Sequence, residues 1–162
     1  MVAPGRLERA RAAAAAVPDP EIPALTIEDL GMLRDVTLEG DTVEVAMTPS
    51  YLGCPATLLI AQDVVAALAR AGFLGARVRT VLAPAWSSDR ITEAGRRKLL
   101  ECGIAPPERG ALRPGLFAAA RPECPHCGRA ETEQISAFGA TPCKALHRCL
   151  ACREPFEAFK CH

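Results

Sequence analysis

The sequence lacks an excess of charge of either sign and lacks any long apolar run. Its 162 residues include 19 basic and 19 acidic side chains, so the formal net charge is zero. A neutral chain has no global field that draws it to nucleic acid or to an anionic lipid surface. No apolar run approaches the ~20 residues that span a bilayer. We therefore expect neither nucleic acid nor a membrane as a partner.

The N-terminal segment does not predict an export signal either. Three arginines precede an apolar stretch, but that stretch, residues 12–17, consists mostly of alanine and is followed by Pro18-Asp19-Pro20-Glu21. A signal peptide needs a longer and more hydrophobic segment. We expect a short amphipathic helix here and a reducing, cytoplasmic location. The eight cysteines are then better explained by metal binding than by disulfides.

Motifs of the common catalytic classes are absent as well. The sequence contains no P-loop, no G-x-G-x-x-G and no helical pair of carboxylate and histidine ligands for a di-iron site. Glu123 and His126 have the Glu-x-x-His spacing, but they surround a cysteine rather than lie on a helix. We therefore expect a protein without catalytic activity of its own.

Two cysteine pairs are the strongest signal that is present. Cys124-x2-Cys127 and Cys149-x2-Cys152 are separated by 21 residues. Each pair forms one metal-binding turn, and two such turns supply the tetrahedral four-sulfur shell that zinc prefers. We predict a closed, structural zinc site. Four thiolates also hold iron or an iron–sulfur cluster, so an electron-transfer site with redox-active iron stays the alternative.

Further metal-ligating residues lie in the same tail. We interpret Cys143 as a small buried residue and the histidines, His126 and His147 among them, as surface groups. A second metal site made by Cys143, Cys161 and His162 stays open. Residues 121–162 hold six Lys/Arg and five Asp/Glu, too small a difference for a phosphate-binding face. Docking to a partner protein is the better prediction for this tail.

The periodicity of apolar residues predicts an α+β protein. We expect a compact α-β-β-α-β-α domain over residues 1–104, a proline- and glycine-rich linker over residues 105–120, and a small β-rich zinc ribbon over residues 121–162. The predicted elements after the first helix are strands 33–36 and 42–47, helix 56–71, strand 77–82, helix 90–101 capped by Asp89, and strands 132–138 and 156–159.

One cysteine of the first domain stands apart from the tail. Cys54 precedes Pro55, at the N-terminus of a predicted helix, where free backbone N–H groups and the helix dipole favour a thiolate. A buried or capping thiol is the structural alternative. On their own, Asp19 and Glu21 indicate an acidic turn, and we interpret Tyr51 and Trp86 as aromatic residues of a pocket or of the core.

Several segments carry a resemblance to a known family. Residues 17–23, 29–32 and 48–55 resemble the metal–sulfur cluster biosynthesis domain of SufT-type proteins. The tail restricts the resemblance to a smaller group of proteins. The segments that do so are residues 138–146 and the following Cys149-x2-Cys152-x-Glu154-Pro155-Phe156. Both halves together are similar to the PaaD family (also called PaaJ), small subunits encoded with the multicomponent phenylacetyl-CoA epoxidase of aerobic phenylacetate degradation.

The resemblance implies an accessory or maturation role beside that epoxidase. It implies help with iron or iron–sulfur assembly in a partner, either the iron–sulfur reductase subunit or the di-iron oxygenase subunit. Cys54 would contact the transient iron or cluster, with Asp19 and Glu21 nearby, and structural zinc would hold the tail. An electron-transfer subunit is the alternative function, and a homodimer stays open.

Overall fold

The computed structural model describes residues 4–51, 53–110 and 121–160, which form three α-helices and two small sheets. This confirms the α+β class. The chain divides into two compact units, residues 1–86 and residues 87–162. The elements of the first unit are α1 (Pro4–Ala15), β1 (Leu33–Glu39), β2 (Thr42–Met47), α2 (Ala56–Arg70) and β3 (Arg77–Thr80). Those of the second are α3 (Glu93–Glu101), β4 (Ile104–Ala105), β5 (Thr132–Ser136), β6 (Lys144–Cys149) and β7 (Pro155–Phe159).

The first unit is built on a three-stranded sheet in the order β1-β2-β3. β1 and β2 form the predicted antiparallel hairpin, whereas β3 pairs in parallel with β2 after the α2 connection. Val43, Val45 and Met47 alternate along β2 and are fully buried, because alternate side chains of a strand point to one face. This apolar face anchors the unit.

Helix α2 is present where the sequence predicts it, but its buried face is not the one that the apolar spacing of Leu58, Leu59, Val65 and Leu68 indicates. Ala56, Ile60, Val64 and Leu68, each four residues apart, point into the unit. Residues at this spacing lie on one helix face. Leu58, Leu59 and Val65 are 70%, 46% and 37% exposed, so only Leu68 of that pattern is buried.

The helix predicted to begin after Asp89 begins later. Asp89 lies in a short 3-10 turn, Ser88–Arg90, and Thr92 is the residue that caps α3. The Thr92 hydroxyl accepts a hydrogen bond from the Gly95 N–H at 3.0 Å. Thr92 is followed by Glu93 in the first turn, where a negative charge is favoured by the helix dipole. The prediction that Asp89 caps this helix was therefore wrong by three residues.

The second unit contains a four-stranded sheet in the order β4-β7-β6-β5. β5 and β7 match the two predicted strands, whereas β6 and β4 were not predicted. β4 pairs in parallel with β7, so Ile104 and Ala105 belong to this sheet. The sequence-based boundary after residue 104 stays a prediction. A buried cluster of Ala105, Cys124, Cys149, Phe156 and Ala158 forms part of the core of this unit.

In the part of the chain that the structure describes, no helix has both the length and the apolar character needed to cross a membrane.

Candidate functional site

The two cysteine turns have the same backbone geometry. In the first, the Gly128 N–H donates to the Cys124 carbonyl at 2.8 Å, and the Cys124 N–H donates to the Arg129 carbonyl at 2.8 Å. In the second, the corresponding bonds run from Arg153 to Cys149 at 3.1 Å and from Cys149 to Glu154 at 3.0 Å. Each turn therefore holds its pair of thiols in the same arrangement.

The four sulfurs of these turns lie together. The Cys124–Cys152 and Cys127–Cys149 sulfur pairs are 3.7 and 3.5 Å apart, and all four sulfurs lie within 4.8 Å of one another. A tetrahedral zinc with bonds of about 2.3 Å would separate its sulfur ligands by about 3.8 Å. The arrangement therefore fits a single tetrahedral metal ion, for which all four ligands come from this chain.

The environment makes Cys149 and Cys152 unequal acids. The N–H of Cys152, with that of Ala151, lowers the pKa of Cys149 to about 7. The N–H of Glu154 favours the Cys152 thiolate, but desolvation and the three neighbouring cysteines outweigh it and raise the pKa of Cys152 to about 12. Four thiolates at this spacing need a cation among them, so metal binding must release protons.

The additional ligands of the tail have different surroundings. Cys143 is buried, as predicted, and its sulfur lies 3.1 Å from the Thr141 hydroxyl oxygen. His126 is exposed, as predicted.

His147 is only 5% exposed, so its prediction as a surface group was wrong. Its ring stacks on Phe156 with centroids 5.7 Å apart, and burial lowers its pKa. Cys161 and His162 lie outside the described residues, so a second metal site stays a prediction.

The turn before β6 explains part of the motif on which the resemblance rests. The buried Lys144 ammonium pairs with the Glu157 carboxylate at 2.6 Å, and the other oxygen of Glu157 accepts from the Ala140 N–H. A Cβ atom added at Gly139 would overlap Glu157 Oε1. A side chain at position 139 would thus displace the Glu157 carboxylate, which Lys144 neutralises, so both motif residues act through Glu157. Sequence reasoning did not identify Glu157 as a structural residue.

Cys54 lies at the start of α2, as predicted. It is partly buried and immediately precedes Pro55, the N-cap residue. Its carbonyl accepts the Thr57 N–H at 3.1 Å. Among the residues that the structure describes, no side chain caps α2, and its first turn carries no acidic residue. The Thr57 N–H is thus already paired, and the positive end of the helix dipole is what favours a negatively charged group at this helix end.

The acidic turn has a structural explanation in the fold. Asp19 is 7% exposed, and its Oδ1 accepts from the N–H groups of Glu21 and Ile22 at 2.9 and 2.8 Å. Such side-chain bonds stabilise a tight turn. The loop is closed by the Asp19 N–H, which donates to the Leu25 carbonyl at 2.8 Å. Roles for Asp19 and Glu21 beside Cys54 stay predictions.

Each half of the chain matches a known protein family. The family model described as an iron–sulfur cluster assembly protein matches residues 7–82, and the model of the PaaD zinc beta ribbon domain matches residues 113–160. The chain also resembles a crystal structure of the domain of unknown function DUF59 from Bacillus anthracis. That chain is 28% identical with a TM-score of 0.54, over 59% of this chain and 92% of the other.

A full-length relative is found in Escherichia coli (strain K12). It is named as one subunit of a "Putative 1,2-phenylacetyl-CoA epoxidase" and is 44% identical over 160 residues, covering 99% of this chain and 96% of the relative.

Proposed function

Because this chain belongs to the PaaD family of 1,2-phenylacetyl-CoA epoxidase subunits, we propose that it is an accessory subunit that assists iron or iron–sulfur cluster assembly in a partner subunit of such an epoxidase. The partner is the iron–sulfur reductase subunit or the di-iron oxygenase subunit. The observation that carries the proposal is the place of Cys54, at the uncapped start of α2 and inside the segment matched by the iron–sulfur cluster assembly model.

The chemistry of this position suits a transient iron contact. A thiolate is a soft ligand that iron and its sulfide clusters favour. Cys54 is only partly buried, as a residue that receives iron from outside has to be. The N–H groups at the start of α2 stabilise negative charge there. A single protein thiolate holds its cargo less firmly than a complete four-ligand site, which suits transfer to a partner.

The four-cysteine centre serves a different purpose in this proposal. Cys124, Cys127, Cys149 and Cys152 enclose a structural zinc with no open position for a substrate. The same sulfur geometry also suits iron, which would make the protein an electron-transfer subunit. Metal analysis with visible absorption of the anaerobically purified protein separates the two. We expect one colourless zinc per chain, whereas stoichiometric iron with charge-transfer bands in this centre would favour electron transfer.

Replacement of Cys54 tests the assembly role directly. We expect Cys54→Ser to leave the fold and the zinc content intact, because Cys54 is not one of the four clustered cysteines. When the variant is co-produced with the epoxidase subunits, their iron content should fall to the level found without this protein.

The matched control is Cys102→Ser, which changes an exposed cysteine at the end of α3. This control should support normal iron loading. Unchanged iron content and epoxidase activity with Cys54→Ser would rule out the proposed carrier role of Cys54.

A further inference from the structure

Helix α2 has a second apolar face besides the one that it buries. A helix at the surface of a protein normally turns polar residues toward water on the side away from the core. On α2 that side is apolar except for one glutamine, and an exposed apolar face of this kind indicates a contact with another molecule. The residues of this face recur at helical spacing and are exposed or half-buried: Leu58, Ala61, Gln62, Val65, Ala66 and Ala69.

Part of this face forms a shallow groove with strand β3. The groove has a volume of about 440 Å³ and is lined by five residues of α2, from Ala61 to Ala69, and by Val78 of β3. β3 is the last strand in the sheet order β1-β2-β3. No described residue of β2 is among those that line the groove, so the groove lies toward the outer side of β3 rather than over the middle of the sheet.

The outer edge of β3 is open in the part of the chain that the structure describes, since β3 pairs only with β2. The Val81 N–H donates to the Met47 carbonyl of β2 at 2.8 Å. Backbone groups of successive residues in a strand point to opposite sides, so Val78 and Thr80 direct their N–H and C=O groups away from β2. Such an edge is a template to which another extended chain can add.

The charges of β3 restrict which chain can add to this edge. Arg77 and Arg79 are exposed, and they lie on the sheet face opposite to Val78, because side chains alternate along a strand. Arg79 donates to Glu44 at 2.8 Å, whereas Arg77 forms no ion pair among the described residues. The neighbouring acids, Glu39 and Glu44, belong to β1 and β2. The two arginines are therefore the outermost charges of this face, and an acidic side chain on an added strand would lie opposite them.

A second copy of this chain does not suit the same edge. If two β3 strands paired in antiparallel fashion with both α2 helices on one face, Val78 would lie opposite its own equivalent. Arg77 of each copy would then lie opposite Arg79 of the other. Like charges directly opposite each other destabilise a strand pair. A shift by one residue turns every side chain to the other face, which would place Val78 opposite an arginine.

We propose that the open edge of β3 and the groove beside it bind an extended acidic segment of another protein, which adds to the sheet as a further strand. Apolar and acidic side chains alternate in this segment. The apolar side chains pack into the groove against α2, and the acidic ones pair with Arg77 and Arg79 on the other face. The backbone of Val78 and Thr80 supplies the hydrogen bonds. This contact does not involve Cys54, so it is independent of the proposed carrier role.

The probe is a synthetic peptide in which glutamate alternates with valine. It is added to the full-length, zinc-loaded protein and followed by nuclear magnetic resonance. We expect the amide resonances of β3 and of the apolar face of α2 to shift. The amides of Val78 and Thr80 should exchange rapidly in the free protein and become protected in the complex. The same peptide with lysine in place of glutamate should bind about tenfold more weakly.

Backbone methylation of the peptide separates strand addition from simple charge attraction. Methylation of every second N–H group removes either the groups that bond to β3 or the groups that point away from it, according to which set is methylated. Only one of the two methylated peptides should therefore bind. Equal binding of both would show that the peptide does not add to β3 as a strand.

Two protein variants test the residues that select the peptide. Arg77→Glu should weaken binding of the glutamate peptide about tenfold and strengthen binding of the lysine peptide. Val65→Asp places a charge in the groove and should also weaken binding of the glutamate peptide about tenfold. Leu74→Asp is the matched control, because Leu74 is 88% exposed and is not among the residues that line the groove. This control should bind as the wild type does.

Several outcomes would overturn the proposal. Slow exchange of the Val78 and Thr80 amides in the free protein would show that the chain itself already covers the edge. Self-association that Val65→Asp abolishes would assign the face to a second copy. Absence of any shift with the glutamate peptide, or unchanged affinity in Arg77→Glu, would rule out an acidic strand as the occupant. None of these results bears on iron loading, which Cys54→Ser tests separately.

Discussion

Arg153 has a backbone conformation that a residue with a side chain rarely adopts. Its φ is +69°, close to the +72° of Gly128 at the matching position of the other cysteine turn. A Cβ atom in this left-handed region costs about 1 kcal/mol or more. We predict that Arg153→Gly raises the free energy of unfolding of the zinc-loaded protein by about 1 kcal/mol, measured by denaturant titration.

Two other variants isolate the backbone effect. Arg153→Ala removes the same side chain but keeps the Cβ atom, so it should not stabilise the protein. Gly128→Ala introduces the strain into the first turn and should destabilise it by about 1 kcal/mol. Equal stability of Arg153→Gly and Arg153→Ala would show that φ is not the cause.

For individual residues, the sequence predicts the clustering of the cysteines better than it predicts which polar side chains are buried. The spacing of Cys124, Cys127, Cys149 and Cys152 predicts their cluster, because two residues between cysteines suit one turn that presents both sulfurs. His147 could not be placed in this way. Its burial depends on Phe156 and on the neighbouring strands of the folded sheet, and neither leaves a local signal around residue 147.

The turn that leads into β6 depends on one buried ion pair. Lys144 and Glu157 have side chains that are 6% and 24% exposed, whereas the Arg148–Glu133 pair on the same sheet is about half exposed. Removing one partner of a buried pair leaves a charge without compensation. We predict that Glu157→Gln lowers the free energy of unfolding by about 3 kcal/mol, measured by denaturant titration. The control Glu133→Gln should change it by less than about 1 kcal/mol.

The effect of Glu157→Gln should depend on pH. Burial alone would raise the pKa of Glu157, but the Lys144 ammonium and the Ala140 N–H outweigh it and lower that pKa from its ordinary 4.5. A carboxylate with a lowered folded pKa contributes stability fully above its unfolded pKa and loses it as the pH falls through the folded value. The stability difference between the wild type and Glu157→Gln should therefore be constant near neutral pH and shrink below about 4.5. A difference that is independent of pH would contradict the ion pair.

The accuracy of the predicted elements follows the strength of their local patterns. The sequence predicts the β1–β2 hairpin because apolar residues alternate along β2 and a glycine turn separates the two strands. β6 was missed because Lys144, His147 and Arg148 make its sequence polar, although Lys144 is neutralised by a glutamate from β7. β4 has only two residues, and its pairing partner is β7, far along the chain. Pairing over that distance leaves no signal in the sequence of either segment.

For the molecule as a whole, composition and spacing predict one apolar unit and one metal-dependent unit. The first unit has a buried face on α2 and β2 that needs no metal. The second has a small sheet, and its core cluster includes two of the four clustered cysteines, Cys124 and Cys149. Metal binding to such a site contributes folding free energy, about 10 kcal/mol or more in isolated zinc fingers. The two units should therefore respond differently to loss of metal.

We predict that a strong chelator unfolds the second unit and leaves the first intact, and that Cys124→Ser has the same effect. Hydrogen exchange followed by mass spectrometry provides the measurement. Amides of β5, β6 and β7 should lose protection, whereas those of β2 and α2 keep it. β4 should lose protection with β7, because its hydrogen bonds are made to that strand. α3 decides the domain boundary: it should lose protection if the unit begins at residue 87, and keep it if the boundary lies after residue 104. Full protection of β5–β7 in Cys124→Ser would show that the assigned ligands are wrong.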